Sequence, residues 1–116
     1  MILINSAKIE IKKSKFISYY YHLDNQLEVK EIINNLKKEH KNAKHCAYAY
    51  VFNNTAGKSD DKEPSRSAGL PLYNLLQLNN LSNDLLVVIR YYGGIKLGLG
   101  PLTRAYKEAG IMALKK

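Results

Sequence analysis

The stretch Leu85-Leu86-Val87-Val88-Ile89-Arg90-Tyr91-Tyr92-Gly93-Gly94-Ile95-Lys96-Leu97-Gly98-Leu99-Gly100-Pro101-Leu102 decides the architecture. Its first part, Leu85 to Tyr92, is apolar and rich in β-branched and aromatic residues, and reads as a strand. Four glycines follow, at positions 93, 94, 98 and 100. Pro101 then sits just inside a helix start, where a missing N–H is tolerated, and Leu102, Ala105, Tyr106 and Ala109 supply the buried stripe of that helix.

The rest of the chain has the same mixed character. Ala7 to Ile11 and Phe16 to Leu23 read as two strands around a Lys13-Ser14-Lys15 turn. Asn25 with Glu28 has the form of a capping box, and Val29, Ile32, Ile33 and Leu36 then recur at i, i+3, i+4 and i+7. That spacing predicts an amphipathic helix ending near His40. His45 to Phe52 is a third strand, broken by the turn-forming Asn53-Asn54-Thr55-Ala56-Gly57. Leu72, Leu75 and Leu76 share a face of a short helix that carries Pro71 in its first turn and stops near Asn79. The order predicts an α+β domain.

Composition bounds the function. A chain of 116 residues has room for one core. Its longest apolar run, Cys46 to Phe52, is far below a membrane span, and Met1-Ile2-Leu3-Ile4-Asn5 lacks the pattern of a secretory signal. No membrane partner and a cytoplasmic location are the default expectations. With Cys46 the single cysteine, an internal disulfide and a cysteine-rich zinc site are excluded. The net charge of +8 points to polyanions, because Lys and Arg neutralise phosphates. Lys37, Lys38, Lys41 and Lys44 have a second reading as cations suited to a helix C-terminus.

Two loops hold the candidate chemistry. Ser59-Asp60-Asp61-Lys62-Glu63-Pro64-Ser65-Arg66-Ser67 gathers three carboxylates, of which Asp60, Asp61 and Glu63 together would suit a hard divalent cation. The plainer reading is a solvated acidic turn in which Ser59 or Ser67 caps the next helix. The glycine loop, with Gly93, Gly94, Lys96 and Gly98 before a helix N-terminus, is suited to an anion. Its alternative role is a tight strand-to-helix connection. Arg90, Lys96 and Arg104 bracket that loop and are the candidate nucleic-acid contacts. His45 and Cys46 point to opposite faces of a strand, so they do not form a nucleophile and base pair. No residue is assigned a catalytic or metal-ligating role.

The run His45-Cys46-Ala47-Tyr48-Ala49-Tyr50, then Ser59-Asp60-Asp61, Glu63-Pro64-Ser65 and Ser67-Ala68-Gly69-Leu70-Pro71, resembles the IMPACT/YigZ family (Impact N-terminal-like domain). Arg90-Tyr91-Tyr92-Gly93-Gly94-Ile95-Lys96-Leu97-Gly98 and Leu102-Thr103-Arg104-Ala105-Tyr106 extend the resemblance over almost the whole chain. The resemblance implies a two-layer α/β sandwich like the second domain of the fifth small-subunit ribosomal protein. It also implies a single domain over 1–116, with the C-terminal ferredoxin-like domain of longer bacterial members absent. A fragment and a naturally short member both fit that picture. Eukaryotic members antagonise activation of a starvation-responsive initiation-factor kinase, so the implied role lies in translation regulation. RNA or DNA, and a ribosome or translation factor, are the implied partners.

The family usually has glycine where this chain has Lys62, Arg66 and Pro101. Positive φ at Lys62 or Arg66 would be strained, which predicts an acidic loop with altered geometry. Nine tyrosines and no tryptophan are placed largely on strands, and a two-layer fold would expose a tyrosine-bearing sheet face able to stack bases or to form a homodimer. Finally, the two loops are expected to converge on one polar pocket. His45, Asp60, Asp61, Glu63 and Ser67 would form one side, and Gly93, Gly94, Lys96 and Arg104 the other. The leading reading is a noncatalytic binding module. The alternative is an enzyme or sensor for a phosphorylated small molecule that uses both loops.

Overall fold

Leu85, Leu86, Val87, Val88 and Ile89 are all fully buried, because their strand is central to the sheet and has a separate core on each face. In the computed structural model, which describes residues 1–115, the elements run β1 (Ile2–Ile11), β2 (Ser14–His22), α1 (Leu27–Glu39), β3 (His45–Phe52), β4 (Thr55–Ser59), α2 (Gly69–Leu78), β5 (Asn83–Tyr91) and α3 (Leu99–Leu114). The sheet order is β1-β2-β5-β3-β4, and every neighbouring pair is antiparallel. This is an α+β fold.

Alternation along each strand sorts the side chains into two cores. Leu86 and Val88 join Phe16, Ala47, Ala49 and the buried stripes of α2 and α3. Leu85, Val87 and Ile89 face the other way, onto Val29, Ile32, Ile33 and Leu36 of α1. The sheet with α2 and α3 forms the expected sandwich, and α1 closes the opposite face. That corrects the expectation of an open tyrosine face. Tyr19, Tyr21, Tyr48, Tyr50 and Tyr91 pack partly buried around the core under α1.

Local chemistry explains where the boundaries differ from those read in the sequence. The first hairpin turns at Lys12 and Lys13 rather than at Ser14, and both lysines have positive φ (47° and 67°), the conformation of a two-residue type I′ turn. Half of the capping box forms. Glu28 Oε1 accepts from the backbone N–H of Asp24 and Asn25 (2.8 and 3.3 Å), whereas the residue at the helix cap is Gln26, whose side chain does not cap the helix but donates to the Tyr50 hydroxyl. Asn53-Asn54 ends β3 as expected, but the chain then returns as β4, pairing Phe52 with Thr55 and Tyr48 with Ser59.

Candidate functional site in the sheet end beside β3 and β5

At the end of the sheet where β3 begins and β5 finishes, His45 lies directly opposite Arg90, and Arg90 directly opposite Phe16. The three residues share the α2/α3 face. A charged residue at such a position needs a partner, since an isolated buried ion is strongly disfavoured. Glu63 supplies it. Arg90 Nη1 donates to Glu63 Oε1 and Oε2 at 3.0 and 2.7 Å, with the two side chains only 7% and 3% exposed. Tyr106 also donates its hydroxyl to Glu63. Burial, followed by the hydrogen bond to Glu63, pushes the Tyr106 phenol far above its ordinary value, so it remains a donor.

His45 ties this cluster to the rest of the acidic loop. Its Nδ1 bonds the Asp61 carbonyl at 2.7 Å, where the ring must donate because a carbonyl only accepts. Its Nε2 lies 3.3 Å from Glu63 Oε1. Asp61 in turn accepts from the Cys46 backbone N–H at 2.6 Å. Burial pushes the Cys46 thiol up to about 11, as suits a small core residue.

The acidic loop is therefore not a solvated turn. Asp60 accepts from the backbone N–H of Arg66, Ala68 and Gly69 at 3.0, 3.1 and 2.8 Å, and so caps α2 from eight or nine residues away. Ser67 does not cap it, since its hydroxyl donates to the Pro64 carbonyl at 2.6 Å. Ser59 Oγ accepts from Asp61 N–H. Asp60, Asp61 and Glu63 thus serve three separate sets of donors. Among the described residues, no three His, Cys, Asp or Glu side chains converge as metal ligands.

Lys62 and Arg66 adopt φ of 70° and 67°. The loop keeps a conformation natural to glycine despite carrying side chains there, contrary to the expected change in geometry. Its three Asp60 bonds and the buried Glu63 hold it. In the glycine loop, a Cβ on Gly93 would stand 2.0 Å from the Lys13 carbonyl oxygen, and Gly94 has φ of +88°. Gly98 is the cap residue of α3. Close backbone approach and turn geometry account for Gly93 and Gly94 directly.

The loops do meet at one end of the sheet. A cavity of about 340 Å³ is bounded by His45, Glu63, Arg90 and Lys96, with Lys44 and Tyr92 beside them. Pro64, Leu97 and Leu102 complete its apolar wall. A second cavity of about 270 Å³ shares Lys44 and His45 and adds Lys37, Lys41, Asp61 and Lys62. Of the expected pocket, His45, Glu63 and Lys96 are brought together and Asp61 lines the neighbouring cavity. Asp60, Ser67, Gly93, Gly94 and Arg104 line neither, and nor does Gly98 of the glycine loop. Of the residues expected to touch nucleic acid, Arg90 is buried and paired with Glu63 through Nη1, whereas Lys96 and Arg104 are exposed. Tyr92 and the lysines at 37, 41, 44 and 62 line the site without having been singled out from the sequence as binding residues. Lys41 and Lys44 read there as helix-end cations, and Lys62 as a replaced glycine.

Residues 12–114 match the family described as Impact N-terminal domain. The chain belongs to that family. It is 42% identical over 111 residues to an IMPACT family member of Haemophilus influenzae, covering 91% of this chain and 54% of that protein. It is 42% identical over 105 residues to IMPACT family member YvyE of Bacillus subtilis, covering 88% and 48%. The Impact domain thus spans about half the length of these relatives. Among solved structures, a crystal structure of a hypothetical protein superposes with TM-score 0.93 at 35% identity, covering 99% of this chain and 59% of the other. The two-domain translational regulator Yih1 shares the fold, with TM-score 0.62 at 21% identity over 96% of this chain and 46% of the other.

Proposed function

We propose that this Impact domain is a noncatalytic binding module that engages single-stranded RNA in the translation machinery. The observation that carries the reading is the ring of exposed lysines at one end of the sheet. Lys37, Lys41, Lys44 and Lys62 line one cavity, and Lys44 and Lys96 line its neighbour. Lysines so placed neutralise successive phosphates and release their counterions. The five lysines come from four short segments: Lys37 from the last turn of α1, Lys41 and Lys44 from the loop after it, Lys62 from the acidic loop and Lys96 from the glycine loop. The surface is assembled by the fold, which a run of basic sequence would not require. A role in translation is supported by the family membership and by the description of Yih1 as a translational regulator; a ribosome or translation factor carrying the RNA is the corresponding partner.

Fluorescence anisotropy with a labelled 12-nucleotide single-stranded RNA at about 50 mM salt tests the reading. Saturable binding that weakens as Lys41, Lys44 and Lys62 are replaced by Ala is expected. The absence of binding to RNA and DNA alike would overturn it.

A further inference from the structure

We propose that the cavity beside Arg90 holds one unstacked nucleotide, with its base against Tyr92 and its phosphate between Lys44 and Lys96. The inference rests on the polyanion reading above and assigns the second cavity a separate task. The lysine-lined cavity next to His45 is polar and suits backbone phosphates. This one is different, because Pro64, Leu97 and Leu102 form much of its wall and two lysines stand beside them. A ligand matching such a wall has an apolar, flat body and an anionic group. The volume, about 340 Å³, lies near the low end of the roughly 300–1,000 Å³ range of small-molecule sites. That is room for one nucleotide and not for a stack of several.

Tyr92 is the platform. The residue is 44% exposed, and its ring is backed by the Arg90 guanidinium at 5.7 Å, which itself rests on Phe16 at 5.6 Å. A ring fixed from behind by a cation that Glu63 already neutralises loses little freedom on stacking. Arg90 supplies an independent sign that the site is incomplete. Its Nε is the one buried side-chain nitrogen or oxygen among the described residues without a hydrogen-bond partner. An unsatisfied buried donor costs about 1–3 kcal/mol, and such groups persist where an external group satisfies them. A base carbonyl or a phosphate oxygen entering the cavity that Arg90 lines provides an acceptor for it.

A nucleoside monophosphate unit is common to an RNA chain and to a free nucleotide, and the probes separate the two. The intact domain is titrated with oligo(rA) of 12 nucleotides, with AMP, with adenosine and with inorganic phosphate, while tyrosine-ring and methyl NMR signals of Tyr92, Leu97 and Leu102 are followed. Both oligo(rA) and AMP are expected to shift these signals, and inorganic phosphate to leave them in place. Tyr92→Ala should weaken oligo(rA) binding by roughly 5- to 150-fold, the range expected for loss of one base stack. Its salt dependence should be unchanged, because no charge is removed. Tyr92→Phe should bind within about twofold of the parent, which separates stacking from misfolding. Shifts with AMP but no binding of RNA would keep the nucleotide site and remove the RNA reading. RNA binding that depends on Lys41, Lys44 and Lys62, yet ignores Tyr92→Ala and leaves the cavity signals unmoved, would overturn this inference alone. Equal shifts of these signals with inorganic phosphate and with AMP would also overturn it, since the base would then contribute nothing.

Discussion

Arg90 and Glu63 meet inside the protein, Nη1 to Oε2 2.7 Å, and by that one contact the acidic loop is fastened to the central strand. Tyr106 of α3 reaches the same carboxylate. Removing one member of such a pair leaves the other buried and uncompensated, which typically costs about 3–5 kcal/mol. Glu63→Ala is therefore expected to lose that much in urea unfolding. Tyr106→Phe, which removes one donor from a carboxylate that keeps its Arg90 contacts, should lose only about 1–2 kcal/mol. Comparable small losses for both would deny Glu63 its central place.

Gly93 is expected to tolerate no side chain. The Cβ of Gly93→Ala would fall 2.0 Å from the Lys13 carbonyl oxygen, which belongs to backbone and not to a flexible side-chain end. A loss of about 2–3 kcal/mol is expected, at the upper part of the overpacking range. Gly94→Ala meets no atom but must accept φ of +88°, costing about 1–2 kcal/mol. Thermal unfolding of the two variants checks the order.

The opposite substitution should help in the acidic loop. Lys62 and Arg66 hold left-handed φ at about 1–2 kcal/mol each, whereas glycine adopts it freely but loses more chain entropy, roughly 0.5–1 kcal/mol. Lys62→Gly and Arg66→Gly are each expected to leave stability unchanged or raise it by up to about 1 kcal/mol. A clear destabilisation in urea melts would mean that the side chains make contacts worth more than the strain. Lys62→Gly should nonetheless weaken RNA binding, since it removes a lysine from the cavity rim.

Alkaline pH provides a separate test of packing. Burial raises the Cys46 thiol to about 11 and the Tyr20 and Tyr21 phenols to about 12. A group whose folded pKa is raised binds its proton more tightly in the folded state, so its contribution is complete below the unfolded pKa and is lost as pH rises through the folded one. Stability should decline from about pH 9, where the unfolded thiol begins to ionise, and more steeply above pH 10, where the unfolded phenols follow. Cys46→Ala should remove the part beginning near pH 9. A melting temperature independent of pH from 8 to 11 would contradict the burial of these groups.

The α+β class was legible because the periods are clean: Val29, Ile32, Ile33 and Leu36 all face one core, and β3 spans His45–Phe52 as its apolar pattern indicates. β4 escaped because Thr55-Ala56-Gly57-Lys58-Ser59 is short, polar and an edge strand. That omission affects the site directly. β3 and β5 are antiparallel neighbours, so loops leaving their ends would lie at opposite ends of the sheet. Only the return through β4 brings the acidic loop back beside the end of β5. The expected convergence holds for a reason that the apolar pattern of β3 and β5 did not contain. The pairing of Arg90 was not legible because a charge at the end of a strand gives no hint of a carboxylate 27 residues earlier waiting inside. The lysine ring was legible only in part, since Lys37, Lys41 and Lys44 are neighbours in sequence whereas Lys62 and Lys96 join them only through the fold.

The salt dependence of RNA affinity addresses the central claim most directly. For the parent domain and for the triple variant Lys41→Ala, Lys44→Ala and Lys62→Ala, the association constant for a 12-nucleotide single-stranded RNA is measured from about 50 to 200 mM salt. Each lysine that neutralises a phosphate of a single strand contributes about 0.7 to the slope of log K against log salt. The slope is therefore expected to be shallower by about 2 in the variant, with tighter binding by the parent at every salt concentration. Equal slopes and equal affinities would contradict the claim that this end of the sheet is the RNA surface.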